Sequence, residues 1–201
     1  MNINFGYHVS KEKTFLKTYE NIDEFGLKTS QIYVSNGRSF NPPKPVLVDL
    51  IQTRKYLERK NHTPYIHGKL LYNMAGCADG KVKDPSKYNS NLHLAKEGLA
   101  AELDIGSVIG GAVVVHIGSN KIKEEGINTI VDTLYKTLSS DSIFVKDFES
   151  AKIDLKSSRK LLLENSAGEG SKIGSTLTDI STILTKFDEK CDSEKKPELK
   201  K

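Results

Sequence analysis

Two histidines and a glutamate close three of the strand-like segments in this chain. Residues 64–67 read PYIH and end on His67. Residues 111–116 read GAVVVH, a β-branched run that ends on His116. Residues 160–164 read KLLLE, an apolar run that turns polar at Glu164 and Asn165. Two imidazoles and a carboxylate are a good donor set for a catalytic zinc ion with an open position. His8 ends the first strand-like segment and is a further strand-end candidate, whereas His62 and His93 fall on a helix exit and a helix. A carboxylate where a strand gives way to a loop is where a βα fold places chemistry.

Three loops carry further groups. Gly168-Glu169-Gly170-Ser171 follows Glu164 and could cradle phosphate with backbone N–H groups, or be a plain βα turn. SNGRSF, at 35–40, offers Asn36, Arg38 and Phe40, and a guanidinium beside an aromatic suits a nucleic-acid backbone. The segment after His67 puts Leu70, Leu71 and Tyr72 on a loop, where apolar residues cover a core or, more rarely, wedge into a DNA stack.

These residues need elements to bring them together. Strands are expected over 2–9, 29–34, 64–67, 111–116 and 160–164. The first helix carries Phe15, Tyr19, Ile22 and Phe25 and stops at Gly26; the second runs from Pro45 to about Lys60. After a glycine-broken loop over 68–86, Leu92, Leu99 and Leu103 mark a third helix ending near Gly106. Ile127, Ile130, Val131, Leu134 and Leu138 form an amphipathic fourth. A polar connection covers 139–158, and Leu177, Ile180, Ile183, Leu184 and Phe187 give the fifth helix, with Thr176 and Asp179 in capping-box spacing. The alternation means α/β with parallel strands, either a doubly wound sheet or a (β/α)8 barrel. No GxGxxG or GxxxxGK[ST] follows the first strand, which takes support from a nucleotide-binding sheet.

The chain has 201 residues, 37% hydrophobic and 28% charged, in the range of one globular domain. Residues 1–187 are expected to form that domain and 188–201 a charged, disordered tail. A net charge of +4 permits a polyanion partner without demanding one. Cys77 and Cys191 lie too far apart for a CxxC zinc site and suggest no disulfide framework. No apolar run approaches the ~20 residues that span a bilayer. The expected setting is the cytoplasm or another reducing compartment, including the nucleus of a eukaryotic or virus-infected cell, with no membrane partner.

GYHVS at 6–10, IYVSNGR at 32–38, YIHGKLLYN at 65–73, VVHIGSN at 114–120 and LLLENSAGEGSKIG at 161–174 resemble, in order, the motifs of the endonuclease IV family. These are zinc-dependent apurinic/apyrimidinic endonucleases of DNA repair. The resemblance implies a (β/α)8 TIM barrel with a three-zinc cluster at its C-terminal rim. It implies hydrolysis of the phosphodiester 5′ to an abasic site in duplex DNA. His67 and His116 match the first two histidine ligands, and Glu164 matches the catalytic glutamate that bridges two zincs. Asn36 and Arg38 match the first DNA-contacting loop, and Leu70 stands where an aromatic wedge is usual, with Tyr72 close by. Gly168 and Gly170 belong to the most specific motif, beside the phosphate path.

Four positions depart from the family pattern: Glu169 replaces Gln, Ile117 replaces Pro, Asn120 replaces His and Leu70 replaces the aromatic. About five βα units are legible, whereas the barrel has eight. The resemblance therefore implies an incomplete TIM barrel encoding one complete zinc shell, with abasic duplex DNA as partner and a second polypeptide completing the barrel. The alternative is a catalytically inactive truncated barrel serving as a DNA-binding or interaction module. A sugar isomerase or epimerase, built on related barrels with similar His and Glu, ranks third.

Overall fold

The alternating pattern folds into five parallel strands, each followed by a helix. The structure is a computed structural model that describes residues 5–39, 41, 43–76, 85–142 and 158–200. In chain order these form β1 (Gly6–Val9), α1 (Phe15–Asp23), β2 (Thr29–Ile32), α2 (Leu47–Lys60), β3 (Thr63–His67), α3 (Pro85–Ile109), β4 (Ala112–His116), α4 (Lys123–Ser139), β5 (Leu161–Glu164) and α5 (Leu177–Ser193). A 3-10 turn, Pro197–Leu199, follows. Phe40, Cys77 and most of the connection expected over 139–158 lie outside the described residues.

The strands lie in the order β1-β2-β3-β4-β5. A doubly wound sheet reverses its strand order at a switch point. Sequential order without reversal is the winding of a barrel, so this is an open five-stranded barrel segment. Consecutive helices pack against one another from α1 through α5, forming one outer layer.

Strand alternation separates core from chemistry. Ile32, Ile66, Val113 and Val115 are fully buried in the hydrophobic cluster with Leu50, Leu103 and Ile130 from the helices. The opposite face of the sheet carries His67, Val114, His116 and Glu164. His116 pairs directly with Glu164, and His67 pairs with Val114, two residues before His116. The register therefore places all three candidate donors at the C-terminal end of the sheet and on one face.

β2 ends at Ile32 rather than 34, α2 begins at Leu47 rather than Pro45, and α1 ends at Asp23, leaving Phe25 outside it and exposed. Three larger expectations also change. First, α3 runs Pro85–Ile109, beginning at the end of the loop expected over 68–86 and passing the stop expected near Gly106. It stops at Gly110, whose φ of +80° suits the position after a helix, with Gly111 N–H donating to Gly106 O at 2.8 Å. Second, α5 passes residue 187 and runs to Ser193. The apolar stripe continues at i+4 spacing through Ile183, Phe187 and Cys191, all buried, and Leu199 packs against the same core. Exposed Asp188, Glu189 and Asp192 share the helix with this stripe, and their charge hid it.

Third, Tyr72 is 3% exposed, packed into the core and not presented at the surface as a wedge neighbour would be. Its hydroxyl lies against Gly98 of α3, where an added Cβ would overlap it. That accounts for a glycine inside a helix. Alanine is normally the better helix former by about 1 kcal/mol. Here Gly98→Ala must displace a buried ring, and an overpacked core costs about 1–3 kcal/mol. The expected result is a lower urea midpoint for Gly98→Ala despite the gain in helix propensity.

An ion pair locks the other end of the sheet. Arg159, just before β5, places Nη2 2.8 Å from Asp104 Oδ1, with the two side chains 1% and 0% exposed. Arg159 Nη1 also donates to the carbonyls of Thr137, Leu138 and Ser140 at 2.9–3.2 Å, satisfying the C-terminal end of α4. Ser142 donates to the remaining Asp104 oxygen at 2.6 Å. No helix among the described residues is long and apolar enough to cross a membrane.

Candidate metal centre

The three strand-end donors converge. One ligand atom each of His67, His116 and Glu164 lies within 4.8 Å of the others, the one such group among the described residues. Glu164 Oε2 is 3.4 Å from His67 Nε2 and 3.3 Å from His116 Nδ1. Donors held at ~2.0–2.2 Å from one zinc at tetrahedral angles stand about 3.3–3.5 Å apart. Glu164 Oε2 is shielded from solvent and accepts no hydrogen bond. A buried carboxylate oxygen without a donor is costly unless a cation satisfies it. The residues present fit a zinc ion on this ground.

Their surroundings orient them. His67 is nearly buried, and its Nδ1 is 2.6 Å from Gly68 O. Donation there fixes the tautomer that leaves the Nε2 lone pair toward Glu164. The rings of His67 and His116 meet edge to face at 5.1 Å between centroids. Tyr33 packs against His67 at 5.0 Å and against His8 at 4.5 Å. Tyr33 continues the alternation of β2 onto the donor face, which is the signal that would have found it. Desolvation and, secondarily, the Glu164 charge push its phenol pKa above the usual value. His8 stands one ring back, 5.7 Å from His67, and outside the donor group. Desolvation holds its imidazole pKa below the usual value, and His67 acts in the same direction.

A cleft of about 530 Å³ opens beside the donors, lined by Leu70, Asn73, His116, Ser119, Glu164 and Lys172. Leu70 and Leu71 are exposed at its lip, 48% and 39%. A second cleft, about 980 Å³, lies between the loops after β1 and β2, with Lys11, Lys13, Lys44 and Asn36 on its walls. Asn36 therefore lines this cleft, and its Oδ1 accepts from Arg38 N–H at 2.9 Å in a local turn, leaving the Arg38 side chain exposed.

Gly168 and Gly170 are exposed in left-handed conformations, φ +80° and +59°, that suit glycine. Lys172 offsets Glu169 at 3.4 Å. The loop ends on Asp179, whose Oδ2 accepts from Gly174 N–H at 3.3 Å while Thr176 caps α5. The Lys123 ammonium, 2.6 Å away, holds the Asp179 carboxyl below the usual range.

Beneath the Leu70 loop lies a buried charge cluster without a sequence signal. Lys69 is 1% exposed and donates to Asn41 O. Burial lowers its ammonium pKa and pushes the Glu102 carboxyl up to about 8.

No protein-family model matches the chain. In sequence it is similar to a probable endonuclease 4 of Halothermothrix orenii, 29% identical over 187 residues, covering 92% of this chain and 59% of that protein. A probable endonuclease 4 of Natranaerobius thermophilus is 30% identical over 190 residues, covering 90% of this chain and 57% of the relative. The chain thus spans little more than half the length of these curated relatives. The crystal structure of endonuclease IV from Thermus thermophilus shares the fold with a TM-score of 0.68 at 22% identity, over 90% of this chain and 59% of that one. An Escherichia coli 3-keto-D-glucoside 4-epimerase is a weaker fold likeness, TM-score 0.51 at 12% identity, over 90% of this chain and 64% of that one. Nothing in these likenesses supports a second polypeptide completing the barrel.

Proposed function

We propose that this chain, a sequence relative of the endonuclease IV proteins, carries part of a zinc-dependent DNA repair nuclease that hydrolyses the phosphodiester 5′ to an abasic site in duplex DNA. The observation that carries the reading is the convergence of His67, His116 and Glu164 on a carboxylate oxygen that has no other partner. His67, His116 and Glu164 would hold the zinc, which would supply an acidified water and charge neutralisation at phosphoryl oxygens.

The chain's own groups supply the rest. The His67 Nδ1 contact to Gly68 O leaves the Nε2 lone pair free to bind a metal. Glu164 contributes negative charge between the two imidazoles and is the residue assigned to catalysis. Lys11, Lys13 and Lys44 line the cleft between the loops after β1 and β2, and Arg38 is exposed on the second of these loops; phosphate contacts from such groups position a duplex. Leu70 and Leu71 stand at the lip of the metal cleft as apolar groups that could enter a gap left by a missing base. Gly168 and Gly170 turn the loop whose Ala167 and Lys172 line the same cleft. Cys191 is a buried free thiol, which suits a reducing compartment.

The test is incision of a labelled duplex bearing one abasic site by the zinc-loaded protein, with the product checked for a 3′-hydroxyl by polymerase extension. Incision that is lost on chelation and restored by zinc is the expected result. Duplex binding without incision, with zinc bound, would instead establish the non-catalytic DNA-binding module.

A further inference from the structure

We propose that Asn73 is a positioning residue for the metal-binding rim, holding the loops that follow His67 and His116 at the separation their imidazoles need. The proposal rests on the zinc reading of His67, His116 and Glu164.

The Asn73 carboxamide bridges two loops. Its Oδ1 accepts from Ser119 N–H at 2.9 Å and from Ala75 N–H at 3.2 Å. Its Nδ2 donates to Gly76 O at 2.6 Å and to Ser119 O at 3.1 Å. A side-chain amide has two donors and two acceptor lone pairs, so its capacity is filled. Two of the four bonds shape its own loop. The other two grip both backbone groups of Ser119, in the loop that leaves His116.

The neighbouring chain is built to allow this grip. Gly118 has φ +112°, and a Cβ there would overlap Asn73 Oδ1 and stand 3.1 Å from the backbone N of Ala75. Only glycine lets the β4 loop come this close to the β3 loop. The strip then continues toward Glu164. Ile173 N–H donates to Gly118 O at 3.0 Å, and Asn120 N–H donates to Ser171 O at 2.9 Å. On the other side, Gly68 N–H donates to Val114 O at 2.7 Å and Leu70 N–H to Gly37 O at 3.1 Å. The loops after β2, β3, β4 and β5 form one hydrogen-bonded belt. Asn120 adds a single bond across the same gap, to Ala75 O at 2.9 Å, whereas Asn73 supplies two.

The metal-binding geometry depends on this belt because His67 and His116 come from different strands while Glu164 Oε2 accepts no hydrogen bond of its own. A functional constellation held about 1 Å too loosely loses most of its value. Outer contacts that orient metal ligands are worth about 10–100-fold in metal affinity.

The experiment is a cobalt(II) titration of the full chain, followed by the visible absorption bands of the bound ion, alongside thermal unfolding of the metal-free protein. Asn73→Ser is the principal variant: its hydroxyl can still accept from Ala75 N–H two residues on, but cannot reach Ser119. Asn73→Ala removes all four bonds. Ser30→Ala is the control, since it removes a buried 2.8 Å contact to His62 away from the rim. We expect Asn73→Ser to lower cobalt affinity about 10–100-fold and to change the band intensities. Ser30→Ala should lower the melting temperature with the cobalt titration unchanged. Wild-type cobalt affinity and spectra in both Asn73 variants, even with a lower melting temperature, would reduce Asn73 to a loop stitch and overturn the proposal. Absence of cobalt binding by the wild-type chain would instead remove the zinc reading beneath it.

Discussion

His116→Ala and Glu164→Gln each lower zinc affinity by at least about 100-fold while leaving the far-ultraviolet circular dichroism spectrum unchanged. The size follows from the position of these groups. Outer-sphere contacts to metal ligands already cost about 10–100-fold when removed, and a direct donor is worth at least the upper end of that range. The selectivity follows from exposure. The His116 and Glu164 side chains are 41% and 38% exposed, so their truncation leaves no buried hole. His67 is a poorer probe because its side chain is 11% exposed and packs against Tyr33 and His116, so His67→Ala removes packing together with the donor. Calorimetric titration with zinc reads the effect. Equal affinity in the wild type and both variants would place the metal elsewhere.

Arg159→Ala destabilises the fold by about 3–5 kcal/mol, the cost of leaving a buried charge without its partner. Asp104 is fully buried, and its carboxylate would keep only Ser142 among the hydrogen bonds described above. The carbonyls of Thr137, Leu138 and Ser140 would lose their guanidinium donor as well. Domains of this size are stable by about 5–15 kcal/mol, so one substitution removes a large part of the total. Urea denaturation measures it. The double variant Arg159→Leu/Asp104→Leu should recover part of the loss, because replacing both members of a buried pair by apolar groups is often neutral. A loss below about 1 kcal/mol in Arg159→Ala would mean that water reaches the pair and screens it.

The convergence of His67, His116 and Glu164 was legible because its signal is local and the fold rule is general. An apolar run closing on a polar ligand type marks a strand end, and parallel βα units bring such ends to one rim. What composition and spacing left open was the winding, doubly wound or barrel, since both share the same alternation. The sequential strand order settled that. Tyr72 shows the limit of reading a loop. An aromatic next to a wedge position looks surface-bound, yet a glycine twenty-odd residues further on, Gly98, provides the slot that buries it. The charged C-terminal stretch misled for the converse reason. Charge density obscured an i, i+4 stripe whose last member is Cys191, a residue that behaves as a small hydrophobe. Arg159 and Asp104 sit far apart in sequence, as do Lys69 and Glu102. No one-dimensional signal marks a buried charge whose partner is non-local.

The most direct test of the metal reading is anomalous scattering at the zinc edge from crystals of the protein grown or soaked with zinc. The account predicts a peak among His67 Nε2, His116 Nδ1 and Glu164 Oε2, at about 2.0–2.2 Å from each. A zinc-replete crystal with no peak there, or with its peak on other residues, would contradict it.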